Sequence, residues 1–396
     1  MRLAYVTWRN RSRLREYSGG NVAREYLIAK VAELAGADEV VGITVEDLDS
    51  GASRILAGAG RLLSSLGATS LAALMRELRF EAVGCPDRIA DLLAGSSILV
   101  ADHVRGLLML SRCLGRLPRG MPIVYLAHDF HMETPYGYLP RASRGHFEGD
   151  VRELLRGGAV RLVVTVTLRD KYLYEEEAPG IGVVAFPAVF PPARPVDLSR
   201  KPDDRIVVNM VGTHGPPPAF VSKLSELLRR DGVRFELVSL GGPAPGAAHV
   251  PNLPRDQFLQ RLAEGHAGIN YSGSTRPQSG INVKRFDFAL AGDVPFSHHL
   301  SVTGEPLPRE HAFIDAYDLA TKLSQFSPRE LAEWGRENAR YAMALHERAV
   351  RSLGEAVRGL LRRGARPRTR APSPFLRKES LYLSQYRRNS GRRNSA

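Results

Sequence analysis

The run Ser279-Gly280-Ile281-Asn282-Val283-Lys284-Arg285-Phe286-Asp287-Phe288-Ala289-Leu290-Ala291-Gly292, continued by Asp293-Val294-Pro295-Phe296, decides how this chain is read. It reads as a glycine-marked loop, a short helix, a glycine stop and then an apolar strand. A loop that opens into a helix offers unpaired backbone N–H groups and the positive end of the helix dipole, which suits a phosphate. Lys284 stands three positions before Asp287, so on a helix both side chains leave the same face. A cation for a diphosphate beside a carboxylate for ribose hydroxyls describes a nucleotide-sugar site.

Upstream of this run, residues 267–271 form an apolar strand and residues 272–278 a polar loop. In that loop Arg276 is placed either to grip phosphate, for which arginine is well shaped, or to stand in solvent. Residues 206–211 are another strand, leading into Gly212-Thr213-His214-Gly215 and then a helix over about 219–229. A strand at 235–240 and a helix at 257–264 complete the pattern of one α/β unit.

A second such unit precedes it. Residues 3–8 form a strand, and Gly19-Gly20-Asn21 opens a helix to about Leu34, with Asn21 as its cap. Residues 40–45 are the next strand, which makes a β-loop-α-β unit, the opening of a doubly wound fold. Further strands end at Asp102-His103, at His128-Asp129-Phe130-His131 and near Arg169. Ligands bind at the carboxyl ends of strands in such sheets, which makes these endings candidate sites. For His128 and His131 a metal reading requires a third ligand, and none stands at a familiar spacing. A structural histidine and a substrate contact remain. Tyr136 and Tyr138 offer either a stacking surface for a sugar or simple loop packing.

Between the units, four prolines fall in residues 187–195 and forbid a helix or a central strand. With 396 residues, two or three domains are expected at about 150 residues each. The divisions are 1–190, 191–327, a helical segment at 328–363 opened by Ser327-Pro328-Arg329-Glu330, and a tail at 364–396. The net charge of +13 suggests nucleic acid until it is located. Residues 362–396 hold ten arginines and one lysine against a single acid, Glu379, so the folded body is nearly balanced. A Pro-, Arg- and Ser-rich tail is expected to be disordered, and two partners compete for it. These are an anionic membrane surface and nonspecific nucleic-acid phosphate; Leu376, Leu381, Tyr382, Leu383 and Tyr386 favour the membrane. No sequence-specific nucleic-acid contact is expected.

Cys85 and Cys113 match no metal spacing and give no disulfide framework, so a reducing cytoplasm is the expected compartment. No signal peptide precedes the first strand, and no apolar run of about 20 residues exists to span a membrane. P-loop, G-x-S-x-G and H-E-x-x-H motifs are absent. Asp47-Leu48-Asp49 is a formal D-x-D that reads as a surface turn after a strand.

The opening run resembles the donor-site signature of the retaining GT-B glycosyltransferases, family 4-like, in the forms E-G-F-G-x-x-x-x-E-A-x-A-x-G-x-P and K-x-F-E-Y-x-A-x-G-x-P. In register, Ser279 takes the first Glu position, Gly280 the glycine, Lys284 the lysine, Asp287 the second Glu and Gly292 the later glycine. Ser279 is not acidic, Asp287 is one methylene short, and one extra residue precedes Pro295; the lysine form fits better. The family's strand here ends V-G-R, and after Val211-Gly212 it is Thr213 and His214 that stand where the arginine would be.

The resemblance implies two Rossmann-like domains facing each other across a cleft, with the 328–363 helix crossing back onto the first. It implies a nucleoside-diphosphate sugar as co-substrate, with no other cofactor and no metal, and transfer to a glycan, lipid or small-molecule acceptor with retention. Lys284 and Arg276 would stabilise the departing diphosphate and His128 would contact sugar or acceptor. Gly19, Gly20, Gly212, Thr213, His214, Ser279, Gly280, Ile281, Asn282 and Asp287 would complete the donor site. A sugar-nucleotide epimerase of the same shape and a non-catalytic binding protein are the alternatives. The protein is expected in the cytoplasm, peripheral to the membrane through its tail.

Overall fold

A computed structural model of the chain describes residues 1–8, 19–48, 51–68, 71, 75, 83–127, 151–192, 194–211, 216–230, 234–251, 253–271, 283–299 and 306–364. Its short apolar runs are parallel strands, because strands covered on both faces show no polar side to water. In the first half these are β1 (Arg2–Thr7), β2 (Glu39–Ile43), β3 (Ile98–Asp102), β4 (Ile123–Ala127), β5 (Val160–Thr165) and β6 (Gly182–Ala185). They pair in the order β2-β1-β3-β4-β5-β6, every pair parallel. Among them lie α1 (Gly19–Ala35), α2 (Gly51–Ser65), α3 (Asp87–Ala94), α4 (His103–Ser111) and α5 (Leu168–Glu177). Helix α1 starts at Gly19, so Asn21, expected as its cap, falls inside the first turn. Asp47 accepts from the Thr44 backbone N–H and hydroxyl at 2.9 Å each, the turn expected there.

The second sheet repeats the plan with β7 (Ile206–Val211), β8 (Phe235–Leu240), β9 (Ala248–Val250), β10 (Ala267–Asn270), β11 (Val294–His298) and β12 (His311–Phe313). Its order is β12-β11-β10-β7-β8-β9, again all parallel. Helices α6 (Pro218–Arg230), α7 (Arg255–Leu262), α8 (Val283–Leu290) and α9 (Ala316–Leu323) accompany it. The glycine stop after α8 is present: Gly292 has φ +73°, and Asp293 N–H donates to the Phe288 carbonyl at 2.8 Å. With Gly292 N–H on the Ala289 carbonyl at 3.0 Å, this is a Schellman turn.

Helix α10 (Pro328–Gly364) is 37 residues long, about 55 Å at 1.5 Å per residue. Ser327 and Glu330 cap its start reciprocally, the Ser hydroxyl and N–H both meeting the Glu carboxylate at 2.8 Å. Its first half packs on β11 and α8, where a Cβ on Gly335 would collide with the Gly292 carbonyl, so only glycine permits that approach. Farther on, Ala342, Leu345, Ala349, Leu353, Val357 and Leu360 join one core cluster with Leu3, Leu27, Ile98 and Val124 of the first half. The proline-rich connection enters the core at its start: Phe186, Ala188, Val189 and Phe190 are all buried in that cluster. The Tyr26 hydroxyl of α1 lies 3.0 Å from Nε2 of His346 on α10, and burial pushes Tyr26 up to about 12.

The cysteines correct the sequence reading. Cys85, just before α3, and Cys113, just after α4, are joined in a disulfide with Cα atoms 5.2 Å apart. A separation of 28 residues carries no distance information until both helices return to the same core. The cysteine argument for a reducing compartment is therefore withdrawn. Among the described residues no helix is long and apolar enough to cross a membrane.

At the foot of the second sheet, His266 is buried, and its Nδ1 accepts from the Val207 N–H at 3.1 Å. Burial first, then the nearby Lys201 charge, pull its pKa down to about 4. A depressed histidine leaves the unfolded chain to protonate first, so this group's stabilisation is complete above about pH 6.5 and is lost as pH falls towards 4. A shift of that size is worth about 3 kcal/mol. Asp293, raised to about 6 by burial, slopes the opposite way, its contribution fading as pH rises. The informative quantity is therefore the difference between wild type and His266→Asn, whose amide oxygen can replace Nδ1. Urea midpoints should show the wild type losing about 3 kcal/mol relative to the variant between pH 6.5 and 4. A difference independent of pH would mean that the imidazole is not held neutral.

Candidate functional site

Each sheet has one place where the connections from neighbouring strands leave in opposite directions, between β1 and β3 in the first and between β7 and β10 in the second. In folds of this kind a crevice opens at the carboxyl ends beside such a point, and ligands bind in it. The second switch point is where the signature falls. β7 ends at Val211 and β10 at Asn270, and α8 begins at Val283. Lys284 is thus in the first turn of α8, half-buried, and burial lowers its ammonium pKa. Tyr271 follows the end of β10 and His298 closes β11, with ring centroids 4.9 Å apart, a small aromatic surface at the carboxyl ends of those strands.

Asp287 is buried in α8, and its ion partner is Arg255 of α7 at 2.6 Å rather than Lys284. Burial raises its carboxyl pKa while Arg255 pulls it back. The same arginine donates to the Phe190 carbonyl at 2.8 Å, so this carboxylate also fastens the connection between the two sheets to α7 and α8.

A second ion pair fixes the start of α8. Arg285 is fully buried and bonds Glu310 through two nitrogens, Nε meeting Oε1 at 2.6 Å and Nη2 meeting Oε2. Ser297 donates to the same Glu310 at 2.7 Å and receives the Asn270 amide at 2.9 Å. The chain Asn270–Ser297–Glu310–Arg285 therefore ties α8 to the ends of β10 and β11, next to Lys284. Sequence reasoning passed over Arg285 and Glu310. The available signal was an arginine between Val283 and Phe286, both core-facing, where a solvated side chain has no room.

At the first switch point, the Thr7 hydroxyl donates to buried Asp102 at 2.8 Å. His103 follows with φ +64°, a left-handed conformation that side chains other than glycine rarely adopt and that gathers at functional sites. The Arg105 guanidinium lies 4.8 Å from the centroid of the Trp8 ring. Gly19 and Gly20 begin α1, which follows β1 and contacts α8. Sequence reading named Asp102-His103 only as a strand ending; the strain at His103 was not legible. His128, Gly212, Thr213, His214, Arg276, Ser279, Gly280, Ile281 and Asn282 lie outside the described residues.

No family model matches the sequence, and no curated protein matches it. By structure, the chain is similar to the sucrose-phosphate synthase (tll1590) from Thermosynechococcus elongatus, with a TM-score of 0.57 at 12% identity, over 91% of this chain and 99% of that one. Fainter likeness extends to UGT2 of Phytolacca americana, solved with UDP-2fluoro-glucose and pterostilbene, with a TM-score of 0.49 at 10% identity over 91% and 99% of the chains. A glycosyltransferase of kitacinnamycin gives 0.49 at 12% over 92% and 99%. At such identities the first likeness speaks for the fold and the fainter two carry no argument. The fold is α/β, two Rossmann-like doubly wound halves facing across a cleft, the GT-B architecture.

Proposed function

We propose that this chain is a glycosyltransferase that moves a sugar from a nucleoside-diphosphate sugar to a glycan, lipid or small-molecule acceptor, with retention and without a metal. The observation that carries the reading is Lys284 in the first turn of α8, at the switch point of the second sheet, anchored from behind by Arg285 and Glu310. Transfer leaves negative charge on the departing diphosphate, and a fixed cation beside helix N–H groups stabilises that charge most when water is excluded. Lys284 and Arg276 would carry this role, with Ser279, Gly280, Ile281 and Asn282 lending backbone around the phosphates. Gly212, Thr213 and His214 would line the opposite wall. Asp287, steadied by Arg255, would hold the ribose, and Tyr271 with His298 would offer the base a surface.

On this reading residues 1–190 bind the acceptor, with Gly19, Gly20 and His128 at the cleft, and 191–327 bind the donor. Residues 328–363 brace the two, and the basic tail at 364–396 holds the protein at an anionic membrane surface. No observation favours the epimerase or binding-protein alternative.

The test is thermal unfolding with UDP-, GDP-, ADP- and TDP-sugars. One nucleotide class should stabilise the protein, by about 2.7 kcal/mol at 100 times its Kd. Lys284→Ala should abolish that shift and lower turnover by roughly 10²-fold or more, the usual cost of losing one transition-state donor. A folded protein that responds to none of the four classes would sink the reading.

A further inference from the structure

Helix α2 carries an apolar stripe that the fold leaves outside. Ile55 is 73% exposed, Leu62 62% and Leu66 71%. Leu66 keeps the helical register, since its N–H donates to the Leu62 carbonyl at 3.1 Å before the chain turns at Gly67, φ +76°. At 3.6 residues per turn, positions 55, 62 and 66 fall within about 40° of one another. Scattered exposed aliphatics are ordinary, but three in one register form a patch. Arg54 and Arg61, both exposed, each sit one residue ahead of a stripe position and make a basic border along it. Gly60 is buried, and Leu56 and Leu63 are half-buried, so the inner side is already packed on the protein. Residues 51–76 contain no Asp or Glu.

We propose that this face of α2 docks on an anionic lipid bilayer, with the aliphatic stripe entering the interface and Arg54 and Arg61 meeting lipid phosphates. The charge pattern selects this occupant. A second copy of the chain would meet the stripe through the same patch and set arginine against arginine, with no acid in the segment to pair them. An anionic head-group layer supplies the missing countercharge and an apolar phase together. One shallow amphipathic helix binds weakly, and the basic residues of 362–396 provide the second contact that stable attachment requires. The proposal does not depend on the transferase reading.

The full chain is sedimented with vesicles of phosphatidylcholine alone or mixed with phosphatidylglycerol. Wild type should bind the mixed vesicles and spare the neutral ones. Ile55→Ser/Leu62→Ser/Leu66→Ser leaves every charge in place and should weaken binding roughly 10-fold or more. Arg54→Ser/Arg61→Ser should weaken it by roughly 5-fold for each arginine removed. Both variants should keep the wild-type thermal transition, since the replaced side chains are exposed. Wild type that binds neither vesicle overturns the proposal. So does equal binding by wild type and both variants, which would leave the tail as the whole attachment. A wild-type dimer that the triple variant converts to monomer, without vesicle binding, would assign the stripe to a second copy instead.

Discussion

Arg285→Ala should lower stability by about 3–5 kcal/mol, the usual result of removing one partner from a buried ion pair. Glu310 would be left with its charge in the interior, holding only the Ser297 hydroxyl among the partners described above. The penalty is that uncompensated charge and not the worth of the pair. Replacing both members, as Arg285→Met with Glu310→Leu, should therefore recover most of the loss, since well-packed apolar residues often equal a buried pair. Urea unfolding of the two single variants and the double variant gives the coupling directly. Donor binding should separate the two roles of this network. If the pair aims the first turn of α8, the double variant regains stability yet keeps a weakened response to nucleotide sugar. Recovery of both would make Arg285 a structural residue only.

Cys85→Ala should cost about 3.5 kcal/mol, because the disulfide closes a loop of 28 residues that holds α3, β3 and α4. β3 is a central, fully buried strand and ends at Asp102 and His103, so this loop carries one wall of the first switch point. Reductant added to wild type should produce a loss of the same size and should add nothing to the variant. Two titratable thiols in native protein purified without reductant would show that the bond does not form. The outcome also bears on compartment, since a disulfide persists where thiols are not kept reduced.

Much of the architecture was open to sequence reading because the physics was local. Runs such as Ile98–Asp102 and Ile206–Val211 have no polar face and suit only a covered parallel strand. Gly292 and the Ser327–Glu330 box work within six residues of chain, and both are where the sequence placed them. What escaped depends on contacts far apart in sequence. Asp287 meets Arg255 across 32 residues, Arg285 meets Glu310 across 25, and the two cysteines meet across 28. Periodicity reports which face of an element is apolar but not which neighbour supplies a countercharge. The buried connection shows the same limit, since its prolines forbade helix and strand without revealing that Phe186 and Phe190 fill the core.

Helix α10 bears on how the molecule comes into being. Ala342, Leu345, Ala349, Leu353, Val357 and Leu360 complete a cluster whose other members include Leu3, Leu27 and Ile98. The first half is synthesised roughly 150 residues before those side chains exist, while domains generally fold as they emerge. One flank of its sheet stays uncovered until α10 is made, so the nascent amino-terminal half is the species that needs shelter from aggregation. Any ribosome that stalls before residue 342 releases a chain that cannot close its own interior.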